Sequence, residues 1–188
     1  MPGVNYWDGW YQTGTAPQIP SQFAVMVASE FAGRVSRIVD FGCGNGRDTM
    51  LLDSVAPTVG IDASEEAVAA AKVSYPDGTF LWGSVEQVQG EGLLYARFLL
   101  HAIPEQVEDE LLDRLEGRWA VAFEFRTPFD VGRPKMTADH FRRPVLLEAL
   151  CAKLQARGFT ITYSVQGRGM AKFGHDDAYV GRVLAERL

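Results

Sequence analysis

Short runs of consecutive apolar residues alternate along this chain with longer stretches whose apolar positions recur every three or four residues. The runs at 37–42, 58–61, 79–83, 93–98 and 120–126 read as strands, and the stretches at 22–32, 46–54, 64–74, 105–116 and 144–157 as helices. Alternation of this kind implies a mostly parallel sheet with helices on both faces. Two further runs, at 159–166 and 178–187, have too short a connection for a crossover helix and should pair antiparallel. Residues 1–20 are rich in Gly, Pro and aromatics without a core-building period and read as a loop or cover segment; Ser21 behind them is the expected N-cap of the first helix. Pro144 suits the first position of the helix at 144–157.

No repeat, low-complexity stretch or interdomain linker interrupts the pattern. At 188 residues and 47% apolar content the expectation is one domain over 1–188, with 1–20 as its N-terminal lid. The first basic residue is Arg34 and no apolar run approaches the length of a membrane span, so a cytoplasmic protein without membrane contact is expected, as a monomer or homodimer. The formal net charge of −6 opposes a phosphate-backbone footprint, and nucleic acid is not an expected partner. Two cysteines, Cys43 and Cys151, make neither a disulfide framework nor a zinc site and read as packing residues; no metal is expected, since the adjacent His175, Asp176 and Asp177 cannot wrap an ion unaided.

Candidate chemistry concentrates after the first strand. The run RIVDFGCGNGRD places Asp40, Gly42, Gly44 and Gly46 where a strand turns into a helix, and the next strand ends in TVGID at Asp62, 16 residues beyond Gly46. Glycines there accept positive φ and let a ligand approach backbone N–H groups. Asp62 can accept both hydroxyls of a ribose. The spacing is G-x-G-x-G, not the G-x-G-x-x-G that seats a pyrophosphate, and Asp40 would suit an amine or sulfonium and repel phosphate.

With VDFGCGNGR followed by GID, the chain resembles the class I S-adenosylmethionine-dependent methyltransferases. That resemblance spans most of the chain, from Ser21 to Leu188, and implies an α/β, Rossmann-like sheet of seven strands in the order 3-2-1-4-5-7-6, with S-adenosylmethionine as cofactor. It implies cofactor contacts at Asp40, Gly42, Cys43, Gly44, Gly46, Asp62 and Ala63, at Ser84 and Val85 after the third strand, and at Arg97. Many members carry an acid where Ser84 stands. The segment YARFLLHAIPE resembles the post-strand segment of small methyltransferases that set an aromatic ring or His over the methyl group, with Arg97, Phe98 and His101 as the candidates. Together with EFRT and HFRRP it resembles a small bacterial subgroup associated with glycan and natural-product biosynthesis. In class I methyltransferases the segment before the first core helix often closes over the cofactor, and WDGWYQTG is also similar to thiopurine-type and tellurite-resistance-type relatives; Tyr11 is its candidate contact, and a plain hydrophobic anchor is the alternative.

Between Arg126 and Arg143 five Arg or Lys stand against two Asp, reversing the sign of the whole chain. The reversal suggests an anionic or sugar acceptor held by Arg126, Arg142 and Arg143, with Phe98 beside it; a solvated loop is the competing reading. A hydroxyl acceptor needs a base, for which His140 is favoured over His101. The expected activity is O-methylation of a sugar or other small biosynthetic metabolite; N- or S-methylation, which needs no base, and a non-catalytic cofactor-binding module are the alternatives.

Overall fold

The computed structural model describes residues 4–133 and 141–187. Helices α1 (Val4–Gln12) and α2 (Gln22–Phe31) lead into strand β1 (Ile38–Phe41), followed by α3 (Arg47–Asp53), β2 (Thr58–Asp62), α4 (Glu65–Ser74) and β3 (Thr79–Trp82). Then come β4 (Gly92–Arg97), α5 (Glu105–Asp113), β5 (Trp119–Arg126), α6 (Leu147–Ala156) and β6 (Thr160–Gly167). A two-stranded ribbon, β7 (Lys172–Phe173) with β8 (Asp176–Asp177), precedes the last strand, β9 (Val180–Glu186).

The sheet has seven strands in the order β3-β2-β1-β4-β5-β9-β6. Neighbours from β3 to β5 run parallel, and β9 is antiparallel to both β5 and β6. This is the expected order, with the ribbon inserted between the last two strands. Strand β5, WAVAFEFR, is buried at every position, as a central strand covered on both faces must be. One core layer joins Leu94, Val121 and Phe123 to Leu111, Leu150 and Leu154 of α5 and α6; the other joins Leu93, Tyr95 and Leu184 to Phe23, Val27, Phe31 and Leu52 of α2 and α3. The stripe of Phe23, Val27 and Phe31, four residues apart, orients α2, and the Ser21 hydroxyl caps it by accepting the Ala24 N–H at 3.0 Å.

Two sequence-based expectations need correction. Residues 4–12 form a helix, not a loop: Trp7, Trp10 and Tyr11 recur at helical spacing and gain a surface to pack on only when the rest of the site is assembled. Helix α6 starts at Leu147, three residues after Pro144. Arg143 and Val145 donate their N–H groups to the His101 and Arg126 carbonyls, so this stretch runs along the sheet's end before the helix begins. Among the described residues no helix is long and apolar enough to cross a membrane.

Candidate active site

Segments leaving the carboxyl ends of β1, β2, β4 and β5 enclose a cavity roofed by α1 and bordered by the ribbon. That is where an open α/β sheet binds ligands, at the point where strand order reverses between β1 and β4.

Its floor is the glycine turn. Gly42, Gly44 and Gly46 all have positive φ, of 82°, 56° and 80°. At Gly44 a side chain is excluded twice, by the left-handed backbone and because a Cβ would overlap the Tyr11 hydroxyl. The Gly44 N–H donates to Asp62 Oδ2 at 2.8 Å and the Ser64 N–H to Asp62 Oδ1 at 2.9 Å. Each carboxylate oxygen has a second lone pair, so Asp62 keeps acceptor capacity on the cavity it lines. Burial raises its pKa against the opposing pull of those backbone bonds. Asp40, buried in β1, accepts the Thr49 hydroxyl at 2.6 Å, yet desolvation outweighs that bond and pushes its pKa up to about 8. Cys43 packs between floor and core, and burial raises its thiol pKa, which makes it a poor nucleophile.

The roof is aromatic and pinned. Trp7, Trp10 and Tyr11 of α1 line the cavity, and burial together with Asp62 pushes the Tyr11 phenol upward. Asp8 accepts the Ser64 hydroxyl at 2.6 Å, fastening α1 to the start of α4. Behind α1 the chain is stitched to the turn. Asn45 donates to the Pro17 carbonyl at 2.9 Å and Arg47 to the Ile19 carbonyl at 2.7 Å. Asp48 accepts from the Ser21 N–H, the Ser21 hydroxyl and the Tyr95 hydroxyl at 2.7 to 2.8 Å.

The far wall is built from charges on adjacent strands. Arg97, Glu124 and Arg182 lie opposite one another on β4, β5 and β9. Glu124 is fully buried and accepts both Arg97 Nε, at 2.8 Å, and Arg182 Nε, at 2.7 Å. Burial works against the Arg97 charge, but Glu124 more than offsets it and the pKa is raised. Phe98 follows with φ 57°, the sole non-glycine residue with positive φ among those described. Its ring lies 4.4 Å from the Arg97 guanidinium carbon and 5.2 Å from that of Arg126. A left-handed phenylalanine costs on the order of 1 kcal/mol or more, and such strain clusters at functional sites. Arg126 itself reaches Asp130 at 2.7 Å and Asp176 at 2.5 Å. His101 is buried on the same wall, edge-on to Phe98 at 5.5 Å, with Nδ1 accepting the Arg126 N–H at 3.3 Å.

Of the residues singled out from the sequence, the cavity brings together Tyr11, Asp40, Gly42, Cys43, Gly44, Asp62 and Ala63 around the glycine turn. Arg97, Phe98, His101 and Arg126 join them from the far wall. Gly46 sits just behind the turn as the N-cap of α3, packed on Phe80. Ser84 and Val85 fall outside the lining: the Ser84 hydroxyl turns to Glu86 and Val85 is buried in the core. Arg142 also lies off the lining, its pKa lowered by burial and by Arg126. Arg143 is committed to Glu108 and to the Leu100 carbonyl, so the positive run after β5 is partly absorbed by internal pairing. His140 lies outside the described residues. His175 is exposed at the tip of the ribbon, and its neighbour Asp176 serves as the partner of Arg126. Sequence reasoning missed Asp48, Glu124 and Arg182; an acid inside the apolar run WAVAFEFR was the visible signal for Glu124.

Strand order, the antiparallel β9 and the cavity's place define the Rossmann-like methyltransferase fold. A methyltransferase from Anabaena variabilis described as S-adenosylmethionine-dependent superposes with a TM-score of 0.73 over 100% of this chain and 96% of its own, at 16% identity. In sequence, the chain is similar to trans-aconitate 2-methyltransferases. It is 35% identical to that of Variovorax paradoxus over 47% of this chain and 38% of the relative, and 34% identical to that of Escherichia coli over 62% and 57%. The chain thus spans between about two fifths and three fifths of the length of these curated relatives. No protein-family model matches it.

Proposed function

We propose that the protein transfers a methyl group from S-adenosylmethionine to a small-molecule acceptor. The observation that carries this reading is Asp62, held by two backbone N–H groups at the end of β2 with acceptor capacity left over, above a glycine turn that excludes side chains. Asp40 adds a carboxyl suited to a sulfonium, and the α1 aromatics shield the site from water. The cofactor brings the reactive methyl; Asp62, Asp40 and the turn hold it, and the far wall orients the acceptor. Calorimetry with S-adenosylmethionine and S-adenosylhomocysteine tests this. Asp62→Ala should weaken both by at least about tenfold, because bonds to a charged group contribute roughly 1.5 to 3 kcal/mol each. Wild-type protein that binds neither compound, or an Asp62→Ala variant with unchanged affinity, overturns the assignment.

The preferred acceptor chemistry is O-methylation of a sugar or another small metabolite. Two relatives are named for trans-aconitate, so that compound and simple sugars are the first acceptors to assay. His101 is ill placed as the base: while Nδ1 accepts the Arg126 N–H, the neutral ring carries its proton on Nε2 and has no vacant lone pair to offer. The role passes to His140, whose replacement by Ala should cut single-turnover methylation by roughly a hundredfold. The same His101 geometry favours a second reading, methylation of nitrogen or sulfur, which requires no base. An undiminished rate in His140→Ala supports it.

A further inference from the structure

Three guanidinium groups line the cavity, and they are spent differently. Arg126 gives both terminal nitrogens to carboxylates, Nη1 to Asp130 and Nη2 to Asp176. Arg47 gives Nη1 to the Ile19 carbonyl and stands 3.9 Å from Asp48. Arg97 gives only Nε, to Glu124; neither Nη1 nor Nη2 has a hydrogen-bond partner among the described residues, and the side chain lines the cavity. Glu124, moreover, is shared with Arg182. The bonded trio therefore holds two cations and one anion, with Glu124 0% and Arg182 7% exposed. Asp48 also favours the Arg97 charge, yet no acceptor is hydrogen-bonded to the outer edge of the guanidinium among the described residues, so a carboxylate placed there would gain charge-assisted bonds that the fold leaves unmade.

The geometry is also pre-set. Glu124 grips one edge of the Arg97 guanidinium and the Phe98 ring lies against it at 4.4 Å, so the plane is held and the remaining edge presents two parallel N–H donors. Two parallel donors match the two oxygens of a carboxylate, and a group already ordered loses little entropy on binding.

We propose that Arg97 is the carboxylate-binding residue of this cavity, taking a carboxylate in bidentate fashion on its free Nη1/Nη2 edge. Two sources of that group fit the proposed function on which the inference rests: the amino-acid end of the cofactor and the acceptor itself. The test uses Arg97→Met and Arg97→Lys, the second keeping a cation for Glu124 while losing the fork, with far-UV circular dichroism and melting to establish that each is folded. S-adenosylhomocysteine is compared with 5′-methylthioadenosine, which lacks the amino-acid carboxylate. If the cofactor supplies the group, the affinity ratio of the two shrinks at least about tenfold in both variants while binding of methylthioadenosine is kept. If the acceptor supplies it, that ratio is unchanged, and propane-1,2,3-tricarboxylate binds the S-adenosylhomocysteine complex at least about tenfold more weakly in the variants than in wild type. An unchanged ratio together with tricarboxylate binding that is absent, or equal in wild type and variants, overturns the proposal. Wild-type protein that binds neither adenosine compound overturns the cofactor reading instead; the tricarboxylate, titrated against the free protein, then decides the role of Arg97.

Discussion

Asp40 stands in the first strand with a hydroxyl as its bonded partner, and its charged form meets Asp48 and Asp62 as like charges and Arg97 as an opposite one. Raised from an ordinary 3.8 to about 8, it keeps a proton in the folded protein over a range where the unfolded chain has lost it. The stability this proton contributes is complete below 3.8 and disappears as pH rises through about 8; Asp62, also raised, acts in the same direction. Ligand-free wild type should therefore lose melting temperature relative to Asp40→Asn between about pH 5 and pH 8.5, and parallel profiles would rule the buried acid out. A sulfonium beside Asp40 favours the carboxylate, so the preference for S-adenosylmethionine over the neutral thioether should grow with pH, by at most about tenfold per unit below 8. Calorimetry at several pH values reads it directly, and a constant preference removes Asp40 from the cofactor's charged end. That Asp40, Asp62 and the glycine turn meet at one cavity was legible in sequence because their placement follows from local strand-turn-helix geometry. Asp48, Glu124 and Asp176 were not, because their partners lie 27 to 58 residues away.

At the scale of elements, α1 shows how a cavity-lining helix hides in a sequence. Its nine residues are too few to be helical alone, and its Gly9 and the Gly and Pro residues around it look like loop composition. The helix forms because Tyr11 seats over Gly44 and Asp8 reaches Ser64, both contacts with distant elements. If this latch holds the roof closed, Asp8→Ala costs one hydrogen bond of roughly 0.5 to 1.5 kcal/mol, and S-adenosylhomocysteine should leave about two- to tenfold faster. Trp7 and Trp10 line the cavity and make stopped-flow fluorescence the natural reporter. Equal dissociation rates in variant and wild type would mean that α1 is an anchor and not a closing roof. The start of α6 misled for a related reason: Pro144 permits a helix, but tertiary hydrogen bonds from Arg143 and Val145 hold the chain extended to Leu146.

Across the whole molecule, the alternation of strand and helix made a mostly parallel sheet readable and one connection too short for a helix made its last pair antiparallel, while the strand order itself came only with the resemblance to the class I methyltransferases. The ion pairing that this order brings about was not readable, since β9 carries Arg182 to Glu124 from 58 residues away. Glu124 thereby ties β4, β5 and β9 together at the sheet's carboxyl edge, where the far wall of the cavity stands. Removing the shared partner of a buried ion cluster leaves uncompensated charge, a loss of about 3 to 5 kcal/mol. For a chain of this length that corresponds to a fall in melting temperature of roughly 6 to 20 °C in Glu124→Ala. Two guanidiniums would then repel across β5, so added chloride or sulfate should restore part of the loss by screening and occupying the site. A small change in melting temperature, insensitive to salt, would mean that apolar packing of β5 alone holds the wall. A large one that salt repairs would mean that the charges in the far wall of the cavity also fasten the carboxyl edge of the sheet.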